Sequence, residues 1–476
     1  MISHEYFKER VLHWDAVASI PSGQRNCGKS YQARLQRVYQ QLIVTSPRIL
    51  EIGCGNCDLL AAQESHFAVG IDFSMKMLKT ARDHYPDVHL VQADAHALPF
   101  SRSSAFDAVI LSDLVNDVLD VLAVLKSIGS LCKRTTRIYI NTYSRLWEPV
   151  LKLASLLRLS KPNLPQNWIT IDDLENMLSL TGFEVIRTWQ EVLLPLSIPV
   201  LDAFFNRFLV RFWPFRHLAV ANLIAARKVP SQEELRDYPS VSVIIPARNE
   251  QGHIPQLFQR VPTLSDSMEL IFVEGHSQDD TYHIIEQEIE KYPHVQAKLI
   301  KQTDIGKGNA VREGFELAQG EVLMILDADL SVPPEELNYF YEAISTGRAE
   351  FVNGVRLVYP MESEAMRFFN LIANKFFSYT FSWLLGQTVK DTLCGTKVLW
   401  KEDYNSIARN RAYFGDFDPF GDFDLLLGAA KLNLKILDLP VRYHSRSYGQ
   451  TNIDRWSHGI LLFKMAYQAA LRLKFV

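Results

Sequence analysis

Two kinds of apolar pattern alternate along the first half of the chain. Short continuous apolar runs, of the kind buried on both faces of a sheet, are separated by stretches with helical spacing. RILEIG leads into Gly53 and Gly55, AVGID ends in Asp72, HLVQAD ends in Asp94, and AFDAVILSDLVND carries Asp107, Asp113 and Asn116. Helix-compatible sequence such as SMKMLKTARDHY lies between them. This alternation predicts a parallel, doubly wound α/β sheet. The runs beginning at Gly182 and Ala219 read as its last two strands. Between them, VLLPLSIPVLDAFFNRFLVRFWPFRH is too long and too apolar for a turn. There Arg207 and Arg211, one helical turn apart among Phe204, Phe205, Phe208, Phe212 and Trp213, fit either of two elements. One is a basic amphipathic element on a membrane surface, the other an internal helix.

The polar, proline-bearing stretch KVPSQEELRDYPS marks a boundary and divides the chain into residues 1–228, a linker 229–239, and residues 240–476. A second series of apolar runs then ends in polar groups. VSVIIPARNE brings Pro246, Asn249 and Glu250, MELIFVEGHSQDDT brings Glu274, and LIKQTDIGKGN brings Asp304 and Lys307 between Gly306 and Gly308. Finally the run from Val322 to Leu326 enters Asp327-Ala328-Asp329. Residues i and i+2 of an extended segment project to one side, so these carboxylates converge. They repel unless a cation lies between them, and hard divalent ions take oxygen ligands. A solvated turn is the better explanation of a bare Asp-x-Asp; the buried strand before it and the polar strand ends upstream reverse that preference in favour of the metal reading. Downstream, DTLCGTKVLW and FGDFDLLLGAA offer Asp391, Asp422 and Asp424, and VRYHSRSYGQTNI gathers Arg442, His444 and Arg446. Guanidinium groups suit phosphate clamping by paired donors. Cys394 reads as a small packing residue, since no base is paired with it.

Composition narrows the possibilities. The 476 residues are 47% hydrophobic and 22% charged, which describes two to three globular domains. A net charge of −4 argues against a nucleic-acid binder working by bulk electrostatics. The five cysteines are few and scattered, as in a reducing cytosol. The N-terminus has no apolar signal-peptide core. The uncharged run from Phe376 to Val389 is 14 residues (376 to 389 inclusive), below the roughly 18 that span a bilayer.

From Arg48 to Lys228, the order E-x-G-x-G, then Asp after the second strand, then Ala-Asp after the third, resembles the class I S-adenosylmethionine-dependent methyltransferases. The resemblance implies that Glu51, Gly53 and Gly55 line the methionine side of the cofactor. Asp72 would hold the ribose, and Asp94 with Ala95 would face the adenine. Where many members have a third glycine this chain has Cys57, whose side chain is expected to narrow the pocket. Asn116, Asp117, Tyr143 and Trp147 lie in the expected acceptor loops, with no role assigned among them.

From Ser240 to Tyr448 four ordered segments, P-A-R-N-E, V-E-G-H-S-Q-D-D-T, G-K-G-N-A-V-R-E-G and D-A-D-L-S-x-P-P-E, resemble family-2 glycosyltransferases with the GT-A fold. The branch most resembled transfers a sugar from a nucleotide donor to a polyprenyl phosphate. By this resemblance Pro246, Glu250, Glu274 and Asp304 cradle the nucleoside with Lys307 near it. Asp327 and Asp329 hold Mg²⁺ or Mn²⁺, and Arg442 and Arg446 meet phosphate on the acceptor side. A hydroxyl acceptor would require a general base, for which Asp422 and Asp424 are the candidates, whereas a lipid phosphate is already an ionised nucleophile. AMRFFNLIANKFFSYTFSWLLG, with Arg367 and Lys375, and ILLFKMAYQAALRLKFV, with Lys464, Gln468 and Arg472, fit helices in a bilayer interface or in a core. The expected protein is a cytoplasmic, peripherally membrane-attached bifunctional transferase built of two tandem α/β domains. Two alternatives are transfer to a sugar or polymer hydroxyl, and an N-terminal half that only binds cofactor as a scaffold.

Overall fold

The computed structural model describes residues 2–19, 29–43, 48–101, 106–156, 164–196, 198, 200–235, 237–360, 368–413, 421–444, 448 and 455–475. The chain divides into two compact units, Met1–Pro230 with Phe475–Val476, and Ser231–Lys474. Each is an α/β unit built on its own seven-stranded sheet.

In the first unit the strands are β1 (Arg48–Ile52), β2 (Phe67–Asp72), β3 (His89–Gln92), β4 (Ala108–Ser112), β5 (Arg137–Tyr143), β6 (Phe183–Glu191) and β7 (Ala221–Lys228). Their order across the sheet is β3-β2-β1-β4-β5-β7-β6, a Rossmann-like arrangement. Alternate residues of one strand enter two different cores, one on each face. In β4, Val109 and Leu111 join Leu50, Val124 and Leu125, while Ala108 and Ile110 join Leu35, Tyr39 and Leu60. Burial on both faces is why these strands read as unbroken apolar runs. The expected parallel sheet is corrected at one strand: β7 runs antiparallel to β5 and to β6. The chain leaving β6 turns back at the same edge, where Val220 N donates to Val192 O at 2.8 Å. A connection that never crosses the sheet can only give an antiparallel neighbour.

In the second unit the strands are β8 (Val241–Ala247), β9 (Met268–Glu274), β10 (Ala297–Lys301), β11 (Val322–Ile325), β12 (Phe351–Val355), β13 (Lys397–Trp400) and β14 (Ile436–Pro440). Their order is β10-β9-β8-β11-β13-β12-β14, with β13 antiparallel to both neighbours, a GT-A arrangement. The same two-sided alternation recurs. Val322, Met324 and Leu326 enter one core and Leu323 and Ile325 the other.

Helix Lys307–Leu317 lies against β8 and β9 through Gly314, where a Cβ would come within 2.6 Å of Ile244 Cγ2 and 3.3 Å of Val273 Cγ2. Gly314→Ala is therefore expected to cost about 1–3 kcal/mol by overpacking, read as a lower denaturant midpoint at unchanged m-value.

Candidate functional site

In the first unit, β1 ends in a turn folded back on β2. Gly53 N and Cys54 N both donate to Ile71 O, at 2.8 and 2.9 Å. Gly53 and Gly55 have φ of 75° and 52°, where glycine is favoured. A Cβ on Gly53 would lie 2.7 Å from Leu114 Cδ1, whereas one on Gly55 would meet nothing within 4 Å. The turn is thus pressed against the β4 loop on one side and open on the other. Asp72 holds it in shape: its Oδ2 accepts from Gly55 N at 2.9 Å and its Oδ1 from Ser74 N at 2.8 Å. Burial pushes the Asp72 carboxyl up to about 6, against the pull of those two hydrogen bonds. Glu51 is buried and its Oε2 has no hydrogen-bond partner; burial raises its carboxyl well above the usual range. A buried carboxylate oxygen left open beside a glycine turn fits a cationic ligand group such as the ammonium or sulfonium of S-adenosylmethionine.

Two expectations change here. Cys57 takes the left-handed conformation, φ 60°, yet its side chain is fully buried. A Cβ on Gly70 of β2 would stand 2.9 Å from the sulfurs of both Cys54 and Cys57. The thiol therefore packs down onto β2, over a residue with no side chain, and does not narrow the open side of the turn. Ala95 packs into the apolar core, and its carbonyl accepts from Ser127 Oγ at 3.1 Å. Asp94 is capped by His96, whose ring Nδ1 lies 2.6 Å from Asp94 Oδ1.

Around this turn the fold assembles groups that sequence reasoning passed over. From helix Ile2–Ala18, Tyr6 donates to the Asp117 carbonyl at 2.6 Å, Trp14 Nε1 to Asp117 Oδ2 at 2.7 Å, and Arg10 forms an ion pair with the same carboxylate. Ser74 Oγ bonds Asp15 Oδ1 at 2.5 Å. The signal was present in the sequence, since Tyr6, Arg10 and Trp14 recur every fourth residue and share one helix face. A second network joins the ends of β4 and β5: Asp113 Oδ1 accepts from Tyr31 at 2.8 Å and from Asn141 Nδ2 at 2.6 Å. Arg211, which by its spacing fits either a membrane-surface element or an internal one, is buried against Glu191 at 2.6 Å, with Arg34 on the other carboxylate oxygen, while Arg207 is exposed. The segment is a π turn, Ala203–Phe208, followed by short 3₁₀ turns, so helical spacing does not hold along it.

In the second unit the ends of the parallel strands fall in register. Ala247 pairs with Glu274, Glu274 with Lys301, and Ile325 with Ile244. Pro246, Glu250, Glu274 and Asp327 therefore gather along one carboxyl edge. Glu250 is nearly buried and bonded to His253 Nδ1 at 2.7 Å. Glu274 Oε1 accepts from Ser277 N at 2.5 Å, and Asp304 is exposed at the start of the turn. Lys307 Nζ meets Asp327 Oδ1 at 2.5 Å. Asp329 is buried and its Oδ1 accepts from Ser331 N at 3.0 Å. Gly395 closes over this pair, since a Cβ there would overlap Asp327 Oδ2 and Lys307 Nζ. The Asp327 carboxylate, with Lys307 beside it and a backbone without side chain above, and the Asp329 carboxylate two residues on offer hard anionic oxygens of the kind that suit Mg²⁺ or Mn²⁺. Among the described residues no three His, Cys, Asp or Glu gather into a metal-binding group.

Helix Asp422–Lys431 starts beside this site. A Cβ on Gly421 would lie 2.9 Å from Gly308 Cα, so backbone meets backbone next to Lys307. Asp424 is buried; its Oδ2 accepts from Arg411 Nε at 2.7 Å and lies 3.6 Å from Arg312 Nη2. Nothing in the sequence around either arginine marks it as a partner of Asp424. The Asp422 side chain and Arg446 lie outside the described residues. Arg442 is exposed, its guanidinium 5.8 Å from the Tyr359 ring centre. Asp391 is fully buried and bidentate with Arg356, at 2.7 and 2.9 Å; although burial opposes it, Arg356 holds the Asp391 carboxyl below the usual range.

Two helices of this unit bury one face and bare the other. On Phe368–Leu385, Phe377 and Phe381 are buried while Ile372, Phe376 and Tyr379 are exposed. On Arg455–Ala469, Leu462 and Met465 are buried and Phe463 and Tyr467 exposed. The rings of Phe376 and Phe463 lie 6.0 Å apart, so the exposed faces adjoin. The stripe expected through Arg472 does not continue, because a π turn, Ala470–Lys474, follows the helix and Arg472 lies over the Tyr413 ring. Arg367 lies outside the described residues. Among the described residues no helix is long and apolar enough to cross a membrane.

Residues 242–407 match the family model for glycosyl transferase family 2, and residues 49–135 that for a methyltransferase domain. A dolichol-phosphate mannosyltransferase of Pyrococcus furiosus is 29% identical over 221 residues, 45% of this chain and 59% of that protein. An undecaprenyl-phosphate 4-deoxy-4-formamido-L-arabinose transferase of Shewanella sediminis is 36% identical over 101 residues, 20% of this chain and 30% of that one. The chain thus spans 59% and 30% of the lengths of these two relatives. Among solved structures, a SAM-dependent methyltransferase of Thermotoga maritima, described as a possible histamine N-methyltransferase, is similar at 15% identity. It covers 42% of this chain and 91% of its own, with a TM-score of 0.34.

The Asp72 carboxyl gives a test of the first site's electrostatics. Its folded value, about 6, lies above its ordinary 3.8, so between these values the folded state binds the extra proton and stability falls as pH rises. In Asp72→Asn that part of the slope, measured by denaturant unfolding from pH 4 to 7, is expected to disappear.

Proposed function

On the premise that the chain carries a methyltransferase domain followed by a family 2 glycosyltransferase domain, we propose that it is a bifunctional transferase. The second unit moves a sugar from a nucleotide donor to a polyprenyl phosphate, and the first transfers a methyl group from S-adenosylmethionine. The observation that carries the sugar-transfer reading is the row of acidic and basic groups along the carboxyl edge of β8, β9 and β11, centred on the Lys307–Asp327 pair. The two relatives described above, whose names specify dolichol phosphate and undecaprenyl phosphate, support the acceptor class.

In this reading Pro246, Glu250, Glu274 and Asp304 hold the nucleoside, and Lys307 meets the donor phosphates. Asp327 and Asp329 would hold Mg²⁺ or Mn²⁺, whose charge would neutralise the departing nucleoside diphosphate. An oxygen of the acceptor phosphate forms a bond to the anomeric carbon as the bond from that carbon to the diphosphate oxygen breaks. The nucleophile is already ionised, so no proton moves and no general base is needed. That agrees with Asp424, whose carboxylate is engaged by Arg411 and Arg312. Arg442 and Arg446 are proposed to meet the acceptor phosphate. The exposed face formed by Phe376, Tyr379, Phe463 and Tyr467 supports attachment of this unit to the bilayer that carries the acceptor.

For the methyltransferase unit, Glu51, Gly53 and Gly55 are proposed to hold the methionine end of S-adenosylmethionine, which supplies an electrophilic methyl group. Asp72 takes the ribose, and Asp94 with the Ala95 backbone lies toward the adenine. Open space beside Gly55 and the unpartnered Glu51 oxygen support this placement.

The test is a panel of nucleotide sugars with polyprenyl phosphate, with and without Mn²⁺ or Mg²⁺. One donor is expected to give a metal-dependent lipid-linked sugar, and Asp329→Asn to lower its rate by about a hundredfold or more. Donor hydrolysis with no lipid product would overturn the acceptor and turn attention to hydroxyl acceptors, with Asp422 and Asp424 examined as the base.

A further inference from the structure

A second exposed face, on the methyltransferase unit, has no part in the sugar-transfer reading. Tyr143 at the end of β5 and Glu191 at the end of β6 both pair with Ala221 at the start of β7. The segments that leave these strand ends therefore emerge from the carboxyl edge of the sheet, the edge that carries Glu51, Gly53 and Asp72. Both turn apolar side chains outward. Phe204, Phe208, Trp213 and Leu218 are exposed on one, and Leu153 and Leu156 on the other; Trp213 is 74% exposed and Leu156 80%. The two segments adjoin, since Trp147 Nε1 donates to the Leu218 carbonyl at 2.8 Å. Single exposed apolar residues need no explanation, but a group on adjoining segments marks an interaction surface.

Charge selects the occupant. Arg145, Lys152, Arg207, Arg216 and His217 are exposed along the same segments. Against them stand two half-buried acids: Glu148, which pairs with Lys152 at 2.7 Å, and Asp202, which accepts from Asn206 at 2.6 Å. Arg207 Nε donates to the Phe475 carbonyl at 2.7 Å and Arg216 Nε lies 3.4 Å from His217 Nε2, so neither of these bonds sets an acid against the guanidinium. Aromatic and arginine side chains also occur at protein–protein interfaces, but here they are interleaved with an excess of exposed cations over two half-buried acids, which matches an anionic lipid surface. We infer that the methyltransferase unit docks through this face on an anionic phospholipid bilayer, with the carboxyl edge of its sheet toward the membrane. A methyl acceptor carried in the bilayer would then reach the cofactor edge directly.

The test uses the full chain in a Cys27→Ser background, because Cys54, Cys57, Cys132 and Cys394 are all buried. An environment-sensitive thiol probe is placed at Ala203→Cys on this face, or at Ser130→Cys, an exposed position after helix Val121–Gly129 that precedes β5 and so lies toward the opposite edge. Vesicles of phosphatidylcholine with phosphatidylglycerol, carrying brominated acyl chains, are then added. Position 203 is expected to shift to the blue and be quenched while position 130 does neither. Arg207→Glu with Arg216→Glu should weaken this partitioning about tenfold or more, and pure phosphatidylcholine should give little quenching. If vesicles sediment the protein but position 203 stays unquenched, attachment runs through the other unit and the inference falls. Quenching that is equal on neutral vesicles and indifferent to the charge reversals would also overturn it, as would a blue shift that grows with protein concentration alone and so reports self-association.

Discussion

Burial of both faces of a sheet is the constraint on which everything else in this chain rests. In β1, β4, β8 and β11 successive residues enter opposite cores, so a polar side chain in mid-strand would lie in an apolar layer with no partner. Polar chemistry is thereby driven to the strand ends, where the backbone breaks out of the layers. The acidic groups of both candidate sites appear there for the same reason, and glycines take the neighbouring positions where backbones approach closely, as Gly308 and Gly421 do. Two units with different strand orders arrive at the same solution because the physics of a covered sheet allows few others.

That constraint also explains which features were legible in the sequence. Strand ends announce themselves, because an apolar run stops abruptly at an acid or a glycine; Asp72, Glu274 and Asp327 were found in that way. Partners brought together by tertiary folding were not. Arg411 and Arg312 converge on Asp424 from separate helical segments, and nothing local to either arginine marks it. Helical spacing puts Arg207 and Arg211 on one face and leaves open whether it is a membrane or an internal one, whereas π and 3₁₀ turns separate them and bury Arg211 against Glu191. The reversal of β7 was equally hidden, since a single strand's composition carries no direction; direction comes from the path of the connection. Cys57 is hidden for a related reason. Its size counts against a glycine position only if the side chain points toward the ligand, and here Gly70 provides room beneath.

Two aspartates of the second unit show how one residue type serves different ends. Asp391 is satisfied on both oxygens by a single bidentate arginine, which fixes Arg356 and the strand beside it. Asp327 is only partly covered and meets a lysine, a point charge on a flexible stem that can yield to a stronger cation or follow a phosphate. Geometry of this kind separates a carboxylate that holds the fold from one that is available to a ligand, and residue type alone does not.

The hydrogen bonds from Gly55 and Ser74 to Asp72 have a thermodynamic consequence. A glycine-bearing turn loses much conformational freedom when it is fixed, and a ligand that must order such a turn forfeits affinity in doing so. Here the carboxylate fixes the turn from within the protein. The ordering cost falls on folding, and an arriving ligand meets a backbone already arranged to receive it.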